Sequence, residues 1–420
     1  MKLNERAGAK VVVVGAGVAG LCCALKLQDK GISCTVLEAS DAVGGRIRTD
    51  KVDGFLLDRG FQVLLTAYPE ARRLLNYRAL KLRTFSPGAL IRMDGKFHRI
   101  SDPFRQPWTL PAMLFSPVGN LKDKLRIARL RRHVLDSTID EILQRRETSA
   151  LDALLEFGFS DRMIGAFFRP FFGGIFLETD LASSSRMLEF IFRMLSEGKA
   201  ALPAAGMGSI PQQLAARLPA GTVRLGARVE ALGEGEVRLA GGERIPARAA
   251  VLATEAPEAA RLLPGLHPPG FQGTACLYFA ADQAPVSKPI LVLNGEGRGA
   301  VDNLCVPSAV APGYAPAGKA LVSATVVGAA GADENDLEFE VRRHLASWFG
   351  PVVESWRYLR TYRIPLALPA RSSLEPAALP VRRRPGLYLC GDHRDTPSLQ
   401  GAMVSGRRAA EAVIEDWEKL

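Results

Sequence analysis

The chain has 420 residues, of which 47% are hydrophobic and 23% charged, a composition typical of a globular protein with two or three folding units. It contains no run of about 20 apolar residues that could span a membrane, and its first residues lack the apolar region of a signal peptide, so we expect a cytoplasmic protein. The six cysteines and five histidines are too scattered for metal ligation, and a net charge of +10 does not by itself indicate nucleic acid, so we expect neither partner.

The N-terminal region predicts a strand, a glycine-rich turn and a helix. Residues 10–14, KVVVV, form the β-branched run of a buried parallel strand. In the turn that follows, Gly15 permits the tight bend, Gly17 lets the backbone approach a pyrophosphate, and Gly20 lets the helix pack on the strand. The helix start then offers N–H groups and a positive dipole end to phosphates. The predicted dinucleotide-binding residues are Gly15, Ala16, Gly17, Val18, Ala19 and Gly20.

A second predicted strand, SCTVLEA, brings Glu38 and the adjacent Ala39 to the same edge of the sheet. A carboxylate at that position can accept hydrogen bonds from both ribose hydroxyls of a dinucleotide. It would repel a 2′-phosphate, so the site favours FAD or NAD over NADP.

The next segment, ASDAVGGRIRT, indicates which of these two cofactors the chain binds. Gly44 and Gly45 let a loop fold back over the pyrophosphate, and Arg46 can donate paired hydrogen bonds to phosphate oxygens. The run VVVVGAGVAGL…VLEASDAVGGRIRT resembles the N-terminal signature of the flavin amine oxidase, protoporphyrinogen oxidase and phytoene desaturase superfamily. The resemblance implies FAD and an α/β fold, in which a Rossmann-type, glutathione-reductase-like FAD-binding domain carries an inserted α+β substrate domain. It also implies that Gly60, Phe61 and Gln62 lie beside the flavin ring.

The C-terminal segment GLYLCGDHRDTPSLQGAMVSGRRAAEAVIEDW resembles the other half of the flavin site. We expect a buried strand that ends at Gly391 and Asp392, and a helix that begins at Gly401. The resemblance implies that Asp392 binds the ribityl chain, and that N–H groups of Gly401, Ala402 and Met403 face the C2 carbonyl of the flavin. A positive helix end at that place would stabilise the anionic reduced ring.

Between the two ends, residues 222–257 alternate apolar and polar side chains between glycine turns, as a β-meander does. The AAVLAT run within them is expected to return to the parallel sheet, and the resemblance places Val229 against the adenine. We therefore predict a discontinuous FAD-binding domain and a substrate-binding domain in the intervening segments. The FAD-binding domain is assigned 1–75, 205–268 and 376–420, and the substrate-binding domain 76–204 and 269–375.

Three features bear on the reaction. No second G-x-G-x-x-G follows a strand, so we expect electrons to pass to oxygen or a quinone rather than to come from NADPH. Ser398 occupies a position where monoamine oxidases carry a tyrosine of their aromatic cage. The segment 360–370 lacks the cysteine to which those enzymes attach flavin, which implies non-covalent FAD.

The substrate is expected to be apolar. The phenylalanines between 167 and 176 are either core residues or the lining of a channel, and FFRPFFGGIF is similar to a desaturase segment, which favours a lipid-like substrate. We expect a desaturase or dehydrogenase of a carotenoid- or terpenoid-like molecule, with no side chain assigned to catalysis. The alternatives are an amine oxidase that releases hydrogen peroxide, and a non-redox flavin-bound isomerase or binding protein.

The segment 121–132, LKDKLRIARLRR, holds six basic residues and one acidic residue. As a helix it would place Leu121, Leu125 and Ala128 on one side with cations around them. Two interpretations remain open, a solvated surface helix and peripheral docking on an anionic membrane.

Overall fold

The computed structural model describes residues 10–109, 111 and 116–419. Residues 1–9, 110, 112–115 and 420 of the predicted domains lie outside this part. In the described part the strands are, in chain order, β1 (Lys10–Val14), β2 (Cys34–Leu37), β3 (Thr49–Val52), β4 (Phe55–Asp58), β5 (Leu64–Leu65), β6 (Arg83–Thr84), β7 (Gly88–Met93), β8 (Lys96–Ser101), β9 (Ala200–Leu202), β10 (Val223–Arg224), β11 (Val229–Leu232), β12 (Glu236–Leu239), β13 (Arg244–Leu252), β14 (Phe271–Ala281), β15 (Leu291–Asn294), β16 (Asn303–Cys305), β17 (Ala320–Val327), β18 (Arg357–Pro369), β19 (Arg382–Arg384) and β20 (Leu387–Leu389).

The α-helices of the described residues vary from single turns to 18 residues. They are α1 (Val18–Gln28), α2 (Pro69–Leu74), α3 (Leu121–Leu135), α4 (Ile139–Gln144), α5 (Ala150–Glu156), α6 (Asp161–Met163), α7 (Arg169–Phe176), α8 (Ser185–Glu197), α9 (Ser209–Ala215), α10 (Ala256–Leu262), α11 (Pro307–Val310), α12 (Glu334–Phe349) and α13 (Leu399–Asp416). None of them is long and apolar enough to cross a bilayer.

The first sheet carries the predicted nucleotide-binding unit. Its strand order is β10-β2-β1-β13-β12-β11, with β20 added to β13 and β19 to β20. Strand β1 pairs in parallel with β2 and β13, and its residues Val11–Val14 are buried, as a central strand of a parallel sheet requires. The meander β11-β12-β13 returns to this sheet as predicted. Helix α1 packs against the sheet and against α13 at the other end of the chain.

The second sheet has the strand order β18-β14-β17-β16-β15-β7-β8. Helix α12 covers it with Leu337, Val341, Leu345 and Trp348, which pack in one apolar cluster with side chains of β14 and β17. All strands of this sheet come from the segments assigned to the substrate-binding domain, and all strands of the first sheet from those assigned to the FAD-binding domain. The exact domain boundaries stay a prediction.

The phenylalanine-rich segment, 167–176, is helical and includes α7. Phe168, Phe172 and Phe176 are buried, with aromatic contacts between successive rings, so they are core residues. Phe167 and Phe171 are half-buried and stacked at a centroid distance of 5.4 Å. The core interpretation is therefore correct for most of this segment.

Candidate functional site

Two glycines of the first turn are required by close backbone packing. Gly15 has a φ of +108°, and a Cβ there would lie 2.8 Å from the carbonyl oxygen of Ala253. A Cβ on Gly20 would lie 2.0 Å from the carbonyl oxygen of Gly15, where no side chain fits. The predicted reasons for these two glycines, a tight turn and close helix packing, are confirmed by this geometry.

Gly17 faces open space instead. It is the residue before α1, and a Cβ placed on it would meet nothing within 4 Å. No side chain caps the helix, and the N–H groups of Ala19 and Gly20 in the first turn of α1 have no acceptor among the described residues. A concave surface with unpaired donors and a positive helix end fits a pyrophosphate.

The loop with two glycines folds back over this turn, as predicted. The Gly44 N–H donates to the carbonyl of Ala16 at 2.9 Å, and a Cβ on Gly45 would be 3.5 Å from the Cα of Gly17. Both glycines have positive φ, +121° and +57°, which side chains disfavour. The open space at Gly17 is therefore bounded on two sides by backbone.

Glu38 lies at the end of β2 beside the same turn. Its Oε2 accepts the Ala16 N–H at 2.7 Å, and its Oε1 accepts the N–H and hydroxyl of Ser40 at 2.9 and 2.7 Å. These bonds hold the carboxylate at the edge of the phosphate cradle, with Ala39 exposed next to it. Binding of the ribose by Glu38 stays a prediction.

Arg46 and Asp392, predicted from opposite ends of the chain, form an ion pair. One terminal nitrogen of Arg46 donates to both carboxylate oxygens of Asp392 at 2.6 and 2.7 Å. The other donates to the carbonyl of Ala367 on β18 at 2.7 Å. The pair brings the loop after β2, the end of β18 and the segment after β20 to one place.

The electrostatics of this pair involve two residues that the sequence did not single out. Burial alone would lower the pKa of Arg46, but the carboxylates of Asp392 and Glu255 outweigh it and hold that pKa above its ordinary value. Burial also raises the pKa of Glu255 and lowers that of His393 to about 4, which keeps this imidazole neutral. In the described structure, the Nε2 atom of His393 is buried without a hydrogen-bond partner.

The segment predicted to pass the flavin ring is held between Arg46 and β18. Gly60 has a φ of +91°, and a Cβ there would be 2.6 Å from Cδ1 of Ile364. The side-chain amide of Gln62 donates to the carbonyl of Arg46 at 3.0 Å. The ring of Phe61 contacts that of Phe85 edge to face at 6.3 Å. Direct contact of these residues with the flavin stays a prediction.

The C-terminal helix begins at Leu399, so the predicted start at Gly401 was wrong by two residues. Ser398 is the cap, and its hydroxyl accepts the Gly401 N–H at 3.0 Å, while the Ala402 N–H donates to the carbonyl of Ser398 at 2.9 Å. Met403 is fully buried one residue further. Among the described residues, the helix-start N–H groups without an acceptor belong to Leu399 and Gln400. A serine before an apolar helical run was the signal for this cap.

Two further predicted residues have structural partners of their own. Gly391 has a φ of +145°, and its N–H donates to the hydroxyl of Ser405 on α13 at 2.9 Å. Val229 is buried in one cluster with the ends of β1 and β2, and its carbonyl accepts from Arg261 at 2.8 Å. Val229 thus lies near the end of the sheet that carries Glu38, which is where the predicted contact with an adenine requires it to be.

Sequence reasoning missed a buried carboxylate network at the end of β4. Asp58 accepts hydrogen bonds from the hydroxyls of Thr49 and Tyr314 and from the N–H of Met207. Its carbonyl accepts from the hydroxyl of Tyr278 at 2.8 Å. Burial outweighs these bonds and raises the pKa of Asp58 to about 6. The network joins two segments assigned to the FAD-binding domain, those of Asp58 and Met207, to the second substrate-side segment, 269–375.

Two of the cavities formed by the described residues have linings that bear on the site. The one we call the Trp108 cavity has a volume of about 540 Å³ and is lined by Phe85, Arg105, Trp108 and Lys199 among others. The second, the Pro397 cavity, measures about 160 Å³. Its lining includes apolar side chains and two carboxylates, namely Phe176, Met187, Leu368, Pro397, Glu178 and Asp180.

Comparison with known proteins gives a family match over most of the chain. Residues 18–414 match the family described as flavin containing amine oxidoreductase. Protoporphyrinogen oxidase 2 of Arabidopsis thaliana is 39% identical over 80 residues, 19% of this chain and 16% of the relative. Coproporphyrinogen III oxidase of Propionibacterium freudenreichii subsp. freudenreichii is 29% identical over 174 residues, 40% of this chain and 31% of the relative. The chain thus matches less than a third of the length of these two curated relatives.

Solved structures share the fold over nearly the whole length. A putative protoporphyrinogen oxidase from Exiguobacterium sp. superimposes with a TM-score of 0.72 at 20% identity, covering 97% of this chain and 99% of the other. Putrescine oxidase bound to putrescine gives 0.71 at 19% identity, with coverages of 97% and 99%. The predicted fold class and the predicted cofactor, FAD, are confirmed. The chain belongs to the flavin-containing amine oxidoreductase family and is an FAD-dependent oxidoreductase.

Proposed function

We propose that this enzyme removes a hydride from a carbon atom of an apolar, carotenoid- or terpenoid-like substrate, while the neighbouring carbon loses a proton to water and a double bond forms between the two carbons. The observation that carries the proposal is the role of Ser398. Its hydroxyl caps α13 by accepting the Gly401 N–H, at a position where monoamine oxidases would have a ring-facing tyrosine. A short side chain that points back to its own helix leaves the space beside the helix start free for a bulky substrate.

The residues that would hold FAD are those gathered around the Arg46–Asp392 pair. The open backbone at Gly17 and the α1 start would take the pyrophosphate, Glu38 the ribose, and Asp392 the ribityl chain. No cysteine lies on β18, which supports non-covalent attachment. When bound, FAD supplies the hydride acceptor.

The chain's own contribution is positioning and electrostatics. The unpaired N–H groups of Leu399 and Gln400 give the site a positive helix end, which stabilises negative charge beside it. Arg46 and Asp392 neutralise each other, so neither adds a net charge. Catalysis by such a site depends on holding a substrate carbon in the right geometry rather than on a general base.

Oxygen or a quinone is the proposed electron acceptor. The sequence holds one strand-associated glycine motif of the dinucleotide type, and the open cradle at Gly17 belongs to it. An NADPH-fed reductase would need a second nucleotide site.

Amine oxidation with release of hydrogen peroxide is the second candidate. Glu178 and Asp180 outnumber the one cation, Arg371, in the lining of the Pro397 cavity beside the segment that leads into α13, and this excess of negative charge would attract an ammonium group. Burial raises the pKa of Glu178, so its carboxylate loses its charge at a higher pH than an exposed glutamate does. Amines are also the substrates named for the putrescine oxidase neighbour.

Extraction of the purified yellow protein separates these candidates. The leading proposal predicts a co-purified polyene or other long apolar molecule in the organic extract, identified by mass spectrometry, and no peroxide when polyamines or aromatic amines are added. Amine-dependent peroxide together with an empty extract would reverse the order. A porphyrinogen, the substrate class named for two relatives, serves as a third probe.

A further inference from the structure

Exposed apolar side chains are concentrated on α3 and on the segment 104–108 that packs beside it. The described part of the chain exposes eight large hydrophobic side chains, and half of them lie here. Trp108 is 74% exposed and Leu125 is 66% exposed, and contact of such large apolar side chains with water is unfavourable. The four are Phe104, Trp108, Leu121 and Leu125.

The two halves of this surface are fixed against each other. The guanidinium of Arg131 on α3 lies over the ring of Phe104, 4.6 Å from its centroid. Arg105 donates to the carbonyls of Leu195 and Ser196 at the end of α8, and Arg131 also donates to Ser196. The segment that carries Phe104 and Trp108 is therefore anchored beside α3.

Unpaired cations flank the exposed leucines. Leu121 and Leu125 are one helical turn apart, with Lys122 and Arg129 exposed on the same side of α3. Neither of these two cations has an acidic partner among the described residues, whereas Arg126 pairs with Asp123. The surface thus combines apolar side chains with free positive charge.

We propose that this surface docks the enzyme on a bilayer of anionic phospholipid. The membrane patch is defined as Phe104, Trp108, Leu121, Lys122, Leu125 and Arg129. Indole, phenyl and leucine side chains enter the boundary between headgroups and acyl chains, while lysine and arginine bind the lipid phosphates. An acidic protein would satisfy the cations but would leave Trp108 and Leu125 in water, so the combination favours lipid over a soluble acidic partner.

The Trp108 cavity adjoins this patch, so docking would place the cavity next to the bilayer. Trp108 and Arg105 line the cavity, and so does Phe85, whose ring contacts Phe61 in the segment predicted to lie by the flavin. A molecule that leaves the bilayer at the patch would therefore meet this cavity on its way towards the segment predicted to lie by the flavin. This route rests on the proposed function, whereas the docking itself holds for any substrate.

The test is co-sedimentation of the FAD-loaded protein with phosphatidylglycerol–phosphatidylcholine vesicles. We expect binding that falls at high salt, and weaker binding to pure phosphatidylcholine vesicles. Lys122→Glu with Arg129→Glu should weaken binding at least about 25-fold, since each cation near an anionic surface contributes roughly fivefold. Leu121→Ser with Leu125→Ser should weaken it about tenfold or more.

Matched controls change equally exposed side chains elsewhere. Phe339→Ser with Val352→Ser removes apolar groups, and Lys51→Glu with Arg384→Glu reverses charge, and both pairs should bind like the wild type. Melting temperatures check that all variants fold. No binding to anionic vesicles at low salt, or equal loss in controls and patch variants, would overturn the proposal. So would a patch-dependent self-association, seen by sedimentation velocity, without vesicle binding.

Discussion

Substitution of single glycines in the first turn can test cofactor binding and folding separately. Gly17→Ala adds a methyl group where the protein has no atom within 4 Å, and its φ of −68° suits alanine. We expect an apo-protein stability within about 1 kcal/mol of the wild type, and FAD affinity at least about tenfold weaker, because the methyl group occupies the space of the pyrophosphate.

The matched control is Gly20→Ala. Its Cβ would lie 2.0 Å from the carbonyl oxygen of Gly15, so the fold itself is destabilised. Thermal melts of the apo proteins and fluorescence titration with FAD measure both effects. Equal FAD affinity of Gly17→Ala and the wild type would contradict the position assigned to the phosphates.

Asp58 should give the protein a characteristic pH dependence. Burial raises its folded pKa to about 6, above that of the unfolded chain, so its stabilising contribution is complete at low pH and is lost as pH rises through about 6. Between about pH 4 and 6, the free energy of unfolding of the wild type should fall relative to Asp58→Asn by up to about 1.4 kcal/mol per pH unit.

Denaturant unfolding of both proteins across this pH range measures the difference. Asn keeps the shape of the carboxyl group but does not ionise. The other acids are present in both proteins, so their contribution cancels in the difference and that of Asp58 remains. A constant difference between the two proteins at every pH would show that Asp58 does not titrate in this window.

At the scale of elements, the strand, turn and helix at the N-terminus could be predicted because all their determinants are local. A β-branched strand, three glycines and an apolar helix are read from consecutive residues. The start of α13 was missed because Gly401 was taken as the first residue, although the structure uses Gly401 as the donor to the Ser398 cap. Capping patterns identify such starts better than glycines do.

The Ser398 cap can be tested through α13. Ser398→Ala removes the acceptor of the Gly401 N–H and should lower the free energy of unfolding by about 1 kcal/mol. Ser398→Thr keeps a hydroxyl acceptor and should recover most of it. Urea unfolding of the three apo proteins measures the effect, and an alanine variant as stable as the wild type would show that the cap contributes nothing.

At the scale of the whole molecule, the contacts that assemble the site join distant segments. The sequence predicts Arg46 and Asp392 separately as residues of the FAD site, but nothing in it predicts the ion pair between them. The partners of Asp58, such as Tyr278 and Tyr314, come from the second half of the chain and carried no motif. Long-range packing of this kind is not encoded in periodicity, which explains why the sequence predicted the cofactor more completely than the buried network.

The predicted FAD site and the proposed membrane patch have different tasks. The residues predicted to hold FAD include the starts of the two helices α1 and α13, which pack against each other, and the proposed membrane patch beside α3 adjoins the Trp108 cavity. Such an arrangement suits a substrate that is poorly soluble in water, and it assigns the basic segment a role in locating that substrate.

The most direct test of the central claim is anaerobic mixing of the FAD-loaded enzyme with candidate substrates while the visible absorbance of the flavin is followed. We expect bleaching by a polyene or terpenoid presented in anionic vesicles, return of the colour on addition of a quinone or oxygen, and no bleaching by putrescine or aromatic amines. Bleaching by amines alone would contradict the proposed substrate, and a flavin that photoreduction cannot bleach would indicate a non-redox role.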